Sequence, residues 1–404
     1  MSTTSDAPAP SPDPTGTGSA TADDVIGILR GVLDPELGDN IVDLGMVRGA
    51  ELAGTKVHIT IALTTAGCPL RAQIMKDVKG RVLTLPGIDA VKLHWDVLTQ
   101  EEKGRVMERA RAHARDGADP TEVPLTARVL SIASGKGGVG KSSLTTNLAA
   151  EIARRGFTVG VLDADIWGFS VPRMIGVDDR LEAEVVDGGD RPMIRPIERV
   201  VGDGLLKVVS TGLLVEDEGT ALMWRGLMLA KAVEQFLKDV HWGELDYLLI
   251  DMPPGTGDVQ MALARMLPQA EMLVVTTPAV AAQRVAVRVA DMARRSHMPI
   301  LGVIENMSAF ETADGERWAF FGEGGGQALS DELDIPLVGS VPLEPTVSAG
   351  ADAGEPATLT ASGAAVDAIH GIVDALLDSI APPVEMEGCT ARLLASVEAA
   401  LDGA

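Results

Sequence analysis

The chain has 404 residues, 46% of them hydrophobic and 3% aromatic, and its 34 basic and 58 acidic residues give a formal net charge of −24. The length suggests two or three domains with buried cores, and the acidity disfavours nonspecific binding to DNA or to anionic membranes. Cys68 and Cys389 lie in different regions, and no stretch approaches about 18 uncharged apolar residues. These features argue against a disulfide scaffold and a membrane span, and they predict a soluble, cytoplasmic protein.

The N-terminal third is predicted to comprise a tail, a small domain and a linker. Residues 1–20 consist mainly of Pro, Ser, Thr, Ala, Gly and Asp, the composition of a disordered tail. A small α/β domain is predicted for 21–100, with helical or strand-like periodicity over 22–33, 56–63, 70–85 and 91–97. A charged helical pattern over 103–115 predicts a helical linker at 101–126.

In the region 127–380, strand-like runs alternate with helical ones, which is typical of a parallel sheet with helices on both faces. The predicted strands are 128–134, 158–163, 206–210, 246–251, 271–276 and 300–304. The predicted fold class is therefore α/β, a doubly wound and mostly parallel sheet with phosphate chemistry at the carboxyl ends of its strands. Beyond it, 381–404 is predicted to be a C-terminal tail, in which 391–401 has the pattern of a short helix.

A phosphate-binding loop follows the first strand of this region. Its template G-x-x-x-x-G-K-[ST] is filled by Gly135, Lys136, Gly137, Gly138, Val139, Gly140, Lys141 and Ser142. Backbone N–H groups and the new helix would face phosphate oxygens, Lys141 would add a catalytic point charge, and Ser142 would ligate magnesium. We predict an ATP site that includes these residues and Ser143; the alternative is an ordinary glycine-rich turn.

A second lysine, Lys136, directly follows the first glycine of the loop. This position is typical of dimerising P-loop ATPases, in which that lysine reaches the phosphates of the partner subunit. A cation supplied in trans stabilises the charge on the transferring phosphoryl oxygens and makes hydrolysis depend on assembly. We predict a catalytic Lys136 in a homodimer, with a solvated loop lysine as the alternative.

Three aspartates follow two strand-like runs. Asp163 ends one run with Asp165 just beyond it, and Asp251 ends another. We assign Asp165 to orienting the attacking water and Asp163 and Asp251 to magnesium, because a residue past the strand end reaches furthest over a bound phosphate. The roles of Asp163 and Asp165 could be exchanged, and an Asp-rich solvated turn is the alternative. The loop 252–258, with two prolines and two glycines, suits a segment that moves on hydrolysis.

Asn306 follows the last predicted strand. A carboxamide at that place could pair with an adenine edge. Asparagine is also a common turn residue, so both interpretations stay open.

Several motifs together resemble the Mrp/ApbC family of iron–sulfur cluster carrier ATPases, which have a deviant Walker A loop. They are 136–142, 163–172, 251–258, 305–308 and 321–326, within a resemblance that spans roughly 127–375. Residues 21–100 also resemble the small cysteine-containing domain of iron–sulfur assembly factors, through 34–36, 42–45 and 64–69. The resemblance implies a homodimer that binds ATP and Mg²⁺, hydrolyses ATP slowly, and holds an iron–sulfur cluster between its subunits for transfer to apoproteins.

One part of the family pattern is missing. Many members have a C-x-x-C pair between the E-N-M-S and F-G-x-G-G-G segments, which supplies four thiolates per dimer. Here 309–320 contains no cysteine, and the carboxylates of Glu311 and Asp314 are poor substitutes. Cys68 stands where the small-domain motif has its functional cysteine, so it is either an iron–sulfur ligand or a small buried hydrophobe. Cys389 is interpreted as incidental.

Three functions fit these observations. The first is an ATP-dependent iron–sulfur carrier or assembly factor that works with apoprotein clients and assembly proteins. The second is an ATPase scaffold for metal-centre maturation without a bridging cluster, which the missing cysteine pair favours. The third, a nucleotide-switched positioning or partition protein, needs a basic surface, and the charge of −24 argues against it. No nucleic-acid or membrane partner is predicted.

Overall fold

The computed structural model describes residues 20–34, 39–63, 71–99, 101–106, 109, 120–166, 168–185, 191–214, 226–312 and 314–384. The chain forms two compact units, 1–113 and 114–404. Cys68, Cys389, the predicted helix at 391–401 and nearly all of the predicted tail at 1–20 lie outside the described residues. The predicted domain limits, including the linker at 101–126, stay predictions.

The N-terminal unit contains a three-stranded sheet and helices that share its core. Its elements are α1 (Ala22–Leu29), β1 (Val47–Ala53), β2 (Lys56–Leu63), α2 (Arg71–Val82) and β3 (Ala90–Val97), with a further helical stretch at 101–106. Strand β2 lies between β1, to which it is antiparallel, and β3, to which it is parallel. Its alternate residues Val57, Ile59 and Ile61 are buried with Val25 of α1 and Val78 of α2, which explains the strand-like pattern.

Helix α2 ends at Val82 rather than at residue 85, β3 begins one residue before its predicted limit, and two further elements differ more from the sequence prediction. Helix α1 begins after Thr21, which forms a capping box with Asp24, but it ends at Leu29 rather than at residue 33. Leu33 instead forms an isolated antiparallel bridge with Asn40. Strand β1 is absent from the prediction because an irregularity in its register near Gly49 breaks the alternation.

The C-terminal unit is built on an eight-stranded sheet with the order β15-β12-β11-β4-β10-β5-β9-β8. Its strands are β4 (Arg128–Ser134), β5 (Thr158–Asp163), β8 (Ile197–Val201), β9 (Gly204–Ser210), β10 (Tyr247–Asp251), β11 (Glu271–Thr276), β12 (Ile300–Asn306) and β15 (Leu337–Val341). Neighbouring strands are parallel, except that β8 is antiparallel to β9. Two small hairpins pair β6 (Ala183–Val185) with β7 (Pro192–Ile194) and β13 (Phe310–Glu311) with β14 (Arg317–Trp318).

Helices cover both faces of this sheet. They are α3 (Lys141–Arg154), α4 (Val171–Ile175), α5 (Gly226–Asp239), α6 (Asp258–Met266), α7 (Val280–Arg295), α8 (Gly325–Leu333), α9 (Pro345–Ala353), α10 (Ala357–Thr360) and α11 (Ala364–Ala375), with short helical turns at Thr211–Leu214 and Leu376–Ile380. Successive residues of β4 enter opposite cores, because Val129 packs with residues of α5, α6 and α7 whereas Leu130 packs with residues of α3 and α11. The predicted doubly wound, mostly parallel α/β fold, preceded by a small α/β region, is confirmed.

All six strands predicted for this unit are present. Three have the predicted limits, and β9, β10 and β12 differ from them by one or two residues. The edge strands β8 and β15 were not expected from the pattern, because their residues are mostly half-buried or exposed and lack a continuous apolar run. Among the residues that the structure describes, no helix is long and apolar enough to cross a bilayer.

Candidate nucleotide-binding site

The phosphate loop connects the end of β4 to the start of α3. Gly138 and Gly140 have φ angles of 81° and 77°, in the left-handed region that favours glycine. Gly140 is the N-cap of α3, so the first N–H groups of the helix, which have no partner within it, point at the loop. This is the arrangement that binds an anion at a helix N-terminus.

Asp251, at the end of β10, binds the polar side chains that begin α3. Its Oδ1 accepts a hydrogen bond from Lys141 Nζ at 2.6 Å, and its Oδ2 accepts one from Ser142 Oγ at 2.6 Å. Thr145, one turn later, donates to Oδ1 at 3.0 Å. Only 6% of the Lys141 side chain and 1% of the Asp251 side chain are exposed, so each charge compensates the other away from water. The sequence interpretation missed Thr145, although its spacing of three residues from Ser142 placed both on one face of a helix.

Asp163, at the end of β5, lies opposite Asp251 in the register of the sheet and is completely buried. Its carboxylate accepts hydrogen bonds from three backbone N–H groups within 165–171, at 3.2 to 3.3 Å, and from Ser210 Oγ at 3.1 Å. Burial, reinforced by the negative charge of Asp251, raises the pKa of Asp163 to about 7. Asp163 therefore orders the segment after β5 from inside the protein.

Asp165 lies just beyond the strand end and is half-buried. Burial raises its pKa, while the positive charge of Lys141 opposes the shift. Since the oxygens of Asp163 are occupied by internal donors, Asp165 is the member of the pair that is better placed to meet a bound molecule.

The loop that follows β10 lies against the phosphate loop. Pro254 is 4.0 Å from the place that a Cβ on Gly137 would occupy. The Gly255 N–H donates to the carbonyl oxygen of Ser134, the last residue of β4, at 2.9 Å. Gln260, buried in the first turn of α6, bonds to this loop from the other side. The sequence interpretation did not single out Gln260.

Asn306 is the last residue of β12, and its side chain faces the phosphate loop. Its Nδ2 donates to the carbonyl oxygen of Val139 at 2.9 Å, and a Cβ on Gly140 would overlap with it. The positive φ of 56° belongs to the next residue, Met307, so Asn306 itself is extended strand rather than turn. A cavity of about 230 Å³ beside it is lined by side chains that include Ser143, Met174, Leu343 and Val347. The adenine contact of Asn306 stays a prediction.

Lys136 lies on the open side of the loop. It is exposed together with Gly137 and Gly138, and its carbonyl oxygen accepts a hydrogen bond from Ser134 Oγ at 3.1 Å. Its backbone is therefore bonded to β4, while the residue as a whole is exposed.

The segment without the cysteine pair forms the hairpin of β13 and β14. Phe310 pairs with Trp318 across the hairpin, and Trp318 stacks on Phe320 with ring centroids 6.1 Å apart. Trp318 and Phe320 are 52% and 62% exposed. None of these side chains is a thiolate, and the described residues contain no group of three or more His, Cys, Asp or Glu that could hold a metal ion.

Two family models match the chain: NUBPL iron-transfer P-loop NTPase over residues 126–377, and iron-sulfur cluster assembly protein over residues 22–95. The iron-sulfur cluster carrier protein of Mycobacterium leprae is 43% identical over 84% of this chain and 88% of its own. The protein of that name from Deinococcus radiodurans is 42% identical over 83% of this chain and 89% of its own. Among solved structures, a nucleotide-binding protein in complex with ADP from Archaeoglobus fulgidus is 34% identical, with a TM-score of 0.47, and the match covers 57% of this chain and 87% of that one.

Proposed function

This chain belongs to the NUBPL iron-transfer P-loop NTPase family, and on that premise we propose that it is an ATP-dependent carrier that delivers iron–sulfur clusters to apoproteins. The carrier part rests on the family and its relatives, and the observation that carries the ATP-dependent part is the carboxylate of Asp251, which joins Lys141 and Ser142 of the phosphate loop at 2.6 Å each. A helix N-terminus, a lysine and a buried carboxylate converge there, as binding and hydrolysis of a nucleoside triphosphate require.

Ser142 and Asp251 would hold Mg²⁺, because hydroxyl and carboxylate oxygens are the hard ligands that this ion prefers. Asp163 would support the magnesium site from its place beside Asp251 in the sheet. Bound there, the ion would neutralise charge on the phosphate oxygens. Lys141 would turn from Asp251 to the phosphates as they enter the loop, and the cavity beside Asn306 would receive the adenine base.

Hydrolysis in this proposal is slow and depends on a homodimer. Asp165 orients the attacking water, because it extends past the strand end and its carboxylate is less enclosed than that of Asp163. The exposed Lys136 of one subunit supplies a cation to the phosphates held by the other, which lowers the barrier only in the assembled dimer.

The cargo is an iron–sulfur cluster, and Cys68 is the proposed thiolate of this chain. Two subunits provide two such thiolates, whereas a cluster normally has four. The remaining ligands would come from the apoprotein client or from the assembly protein that supplies the cluster. The separate Cys68 and Cys389 and the acidic composition favour a cytoplasmic setting without nucleic-acid or membrane partners.

The direct test is anaerobic reconstitution with iron and sulfide, followed by a visible absorption spectrum and iron quantification. We expect cluster absorption in the wild type and in Cys389→Ala, and its loss in Cys68→Ala. Transfer to an apoprotein is then followed as recovery of the activity of that apoprotein. A colourless wild type that activates no apoprotein would reject the carrier function.

The exposed hairpin of β13 and β14 favours a second candidate, an ATPase scaffold for metal-centre maturation that binds no cluster itself. Its aromatic residues Phe310, Trp318 and Phe320 stand where a ligand pair would be needed. In that case the isolated protein contains neither iron nor sulfide, yet maturation of a client still requires its ATPase activity. Iron and sulfide analysis of protein isolated anaerobically separates the two candidates.

A further inference from the structure

Gln260 holds the loop after β10 with every polar atom of its side chain. It is 1% exposed, and its Nε2 donates to the carbonyl oxygens of Pro253 and Gly255, both at 2.9 Å. Its Oε1 accepts a hydrogen bond from the N–H of Gly257. A buried carboxamide that satisfies three backbone groups of one short loop fixes the conformation of that loop, because losing it would leave those groups unpaired.

The same loop is bonded to the strand that begins the phosphate loop. Gly255, whose carbonyl oxygen accepts from Gln260, donates its N–H to the carbonyl oxygen of Ser134 at 2.9 Å. Its φ of 92° lies in the region that favours glycine. Gly255 therefore makes its bonds to Ser134 and Gln260 from a backbone conformation that few other residues adopt.

Ser134 carries the connection to Lys136. Its carbonyl oxygen receives the bond from Gly255, and its hydroxyl donates to the carbonyl oxygen of Lys136 at 3.1 Å. Ser134 is 1% exposed, whereas Lys136 is exposed. The backbone of an exposed catalytic lysine is thereby linked to a buried carboxamide through two intermediate residues.

We propose that Gln260 is a positioning residue for Lys136, acting through Gly255 and Ser134. The inference rests on the proposed role of Lys136 in the partner's site. When the loop 252–257 responds to the phosphates beside it, the carboxamide of Gln260 makes its residues move as one unit, and the bond from Ser134 transmits that movement to the backbone from which the lysine extends. Nucleotide binding in one subunit thus determines where its Lys136 stands relative to the phosphates in the other subunit.

The test is a double-mutant cycle on ATP hydrolysis. Gln260→Met keeps the length of the side chain but removes all three hydrogen bonds, and Ser134→Ala removes one hydroxyl. We expect each change to lower kcat by about tenfold or more, as small misplacements of a catalytic group do, while the Kd for MgADP stays at its wild-type value. In a Lys136→Ala background, neither change should lower the residual single-turnover rate further. Gln327→Met, on the exposed face of α8, is the matched control and should leave every value unchanged.

Losses of kcat that multiply in the double variants would overturn the proposal, because they would mean that Gln260 and Lys136 act independently. An equal weakening of MgADP binding would also overturn it, since that result indicates a general loss of site structure. Where Gln260→Met does not fold, Ser134→Ala alone carries the cycle with Lys136→Ala, because it removes one hydroxyl from the same connection and introduces no buried charge. Where turnover is too slow to measure, the same cycle is measured as the dimer Kd in a nonhydrolysable ATP analogue.

A wild-type kcat in Lys136→Ala alone would reject the in-trans role of Lys136. That result is a failure of the proposed function and is distinct from the outcomes that test Gln260.

Discussion

At the scale of single residues, several side chains of the site bind one carboxylate, that of Asp251. Asp251 accepts hydrogen bonds from Lys141, Ser142 and Thr145, and all three donors come from the first turn and a half of α3. A bound triphosphate offers Lys141 more negative charge than one carboxylate does, and a magnesium ion offers Asp251 a divalent partner. Binding would therefore exchange one buried ion pair for two interactions, without leaving either charge uncompensated.

Lys141 and Lys136 should respond differently to removal of their charge. Lys141 is buried against Asp251, so we expect Lys141→Ala to weaken ATP binding by about tenfold or more, which corresponds to at least about 1.4 kcal/mol. Lys136 is exposed and, in the proposed function, serves the partner's site, so Lys136→Ala should retain affinity and lose turnover. Equilibrium binding of a fluorescent ATP analogue, together with phosphate release, measures both. Equal loss of affinity in the two variants would contradict the in-trans role.

Asp163 gives the protein without nucleotide an unusual dependence on pH. Burial raises its pKa from 3.8 to about 7, so between these values the folded state binds more protons than the unfolded state. The stabilisation that comes from proton binding by Asp163 is complete below the pKa of Asp163 in the unfolded state. It is lost as pH rises through the pKa of Asp163 in the folded state. We expect the free energy of unfolding to fall by about 2 kcal/mol from pH 5.5 to pH 8. Urea unfolding at the two pH values measures this change.

The control for the pH prediction is Asp163→Asn, which cannot ionise and should remove most of the slope; the raised pKa of Asp165 acts in the same direction and accounts for any slope that is left. The lowered pKa values of Glu102 and Glu151 act in the opposite direction, but only below their ordinary value of 4.5, outside this window. A wild type that is equally stable, or more stable, at pH 8 would show that Asp163 is already ionised in the folded protein at pH 5.5.

At the scale of elements, the sequence predicts what depends on neighbours along the chain. The strand that becomes β4 is buried on both faces, so it has a continuous apolar pattern, and the glycine loop and helix after it follow known spacing. Strands β8 and β15 lie at the edges of the sheet, where one-sided burial leaves a weak pattern. Their place in the sheet depends on pairing with distant strands, which the local sequence does not specify.

The same distinction applies to the residues of the site. Asp163 and Asp251 end predicted strands, and the parallel pairing of β5 with β10 brings them side by side. The sequence allows Asn306 to be an adenine contact or a turn residue. In the structure its Nδ2 donates to the carbonyl oxygen of Val139, which is 167 positions away in the chain. Gln260 has no motif of its own, because its function lies in bonds to backbone groups whose positions only the folded loop defines.

Glu151 should contribute to the packing of α3 against α11. Its side chain is fully buried and forms salt bridges with Arg154 and Arg155, both at 2.7 Å, and Nε2 of His370 in α11 lies 3.3 Å from its carboxylate. Burial alone would raise the pKa of Glu151, but the two arginines outweigh it and hold the pKa below its usual value. We expect Glu151→Ala to lower the free energy of unfolding by about 2 kcal/mol. The cost stays below that of an unpaired buried charge, because Arg154 and Arg155 are 43% and 32% exposed and can turn to solvent.

Urea unfolding at pH 7 measures the cost of removing Glu151. Glu332→Ala is the matched control, because Glu332 also lies on a helix, α8, but is exposed. It should change stability by less than about 0.5 kcal/mol. Equal effects of the two changes would mean that the buried carboxylate contributes nothing beyond helix propensity.

At the scale of the whole molecule, charge opposes the proposed assembly. Each subunit carries a formal net charge of −24, so two copies repel each other through their overall fields. The proposed in-trans contact of Lys136 with phosphate would be short and enclosed between the subunits. Salt screens the long-range repulsion strongly, because the Debye length falls from roughly 14 Å at 0.05 M to roughly 6 Å at 0.3 M, and it screens an enclosed contact less.

We therefore expect the ATP-bound dimer to become tighter as ionic strength rises from about 0.05 to about 0.3 M, a range over which the Debye length falls by more than half. Light scattering in a nonhydrolysable ATP analogue gives the dimer Kd at each salt concentration. Lys136→Ala should weaken the dimer at every concentration but keep the same salt trend, because the repulsion belongs to the whole surface and the attraction to one contact. A dimer that weakens steadily with salt would mean that attraction between surface charges dominates the interface, and a chain that stays monomeric with the analogue bound would remove the basis for hydrolysis in trans.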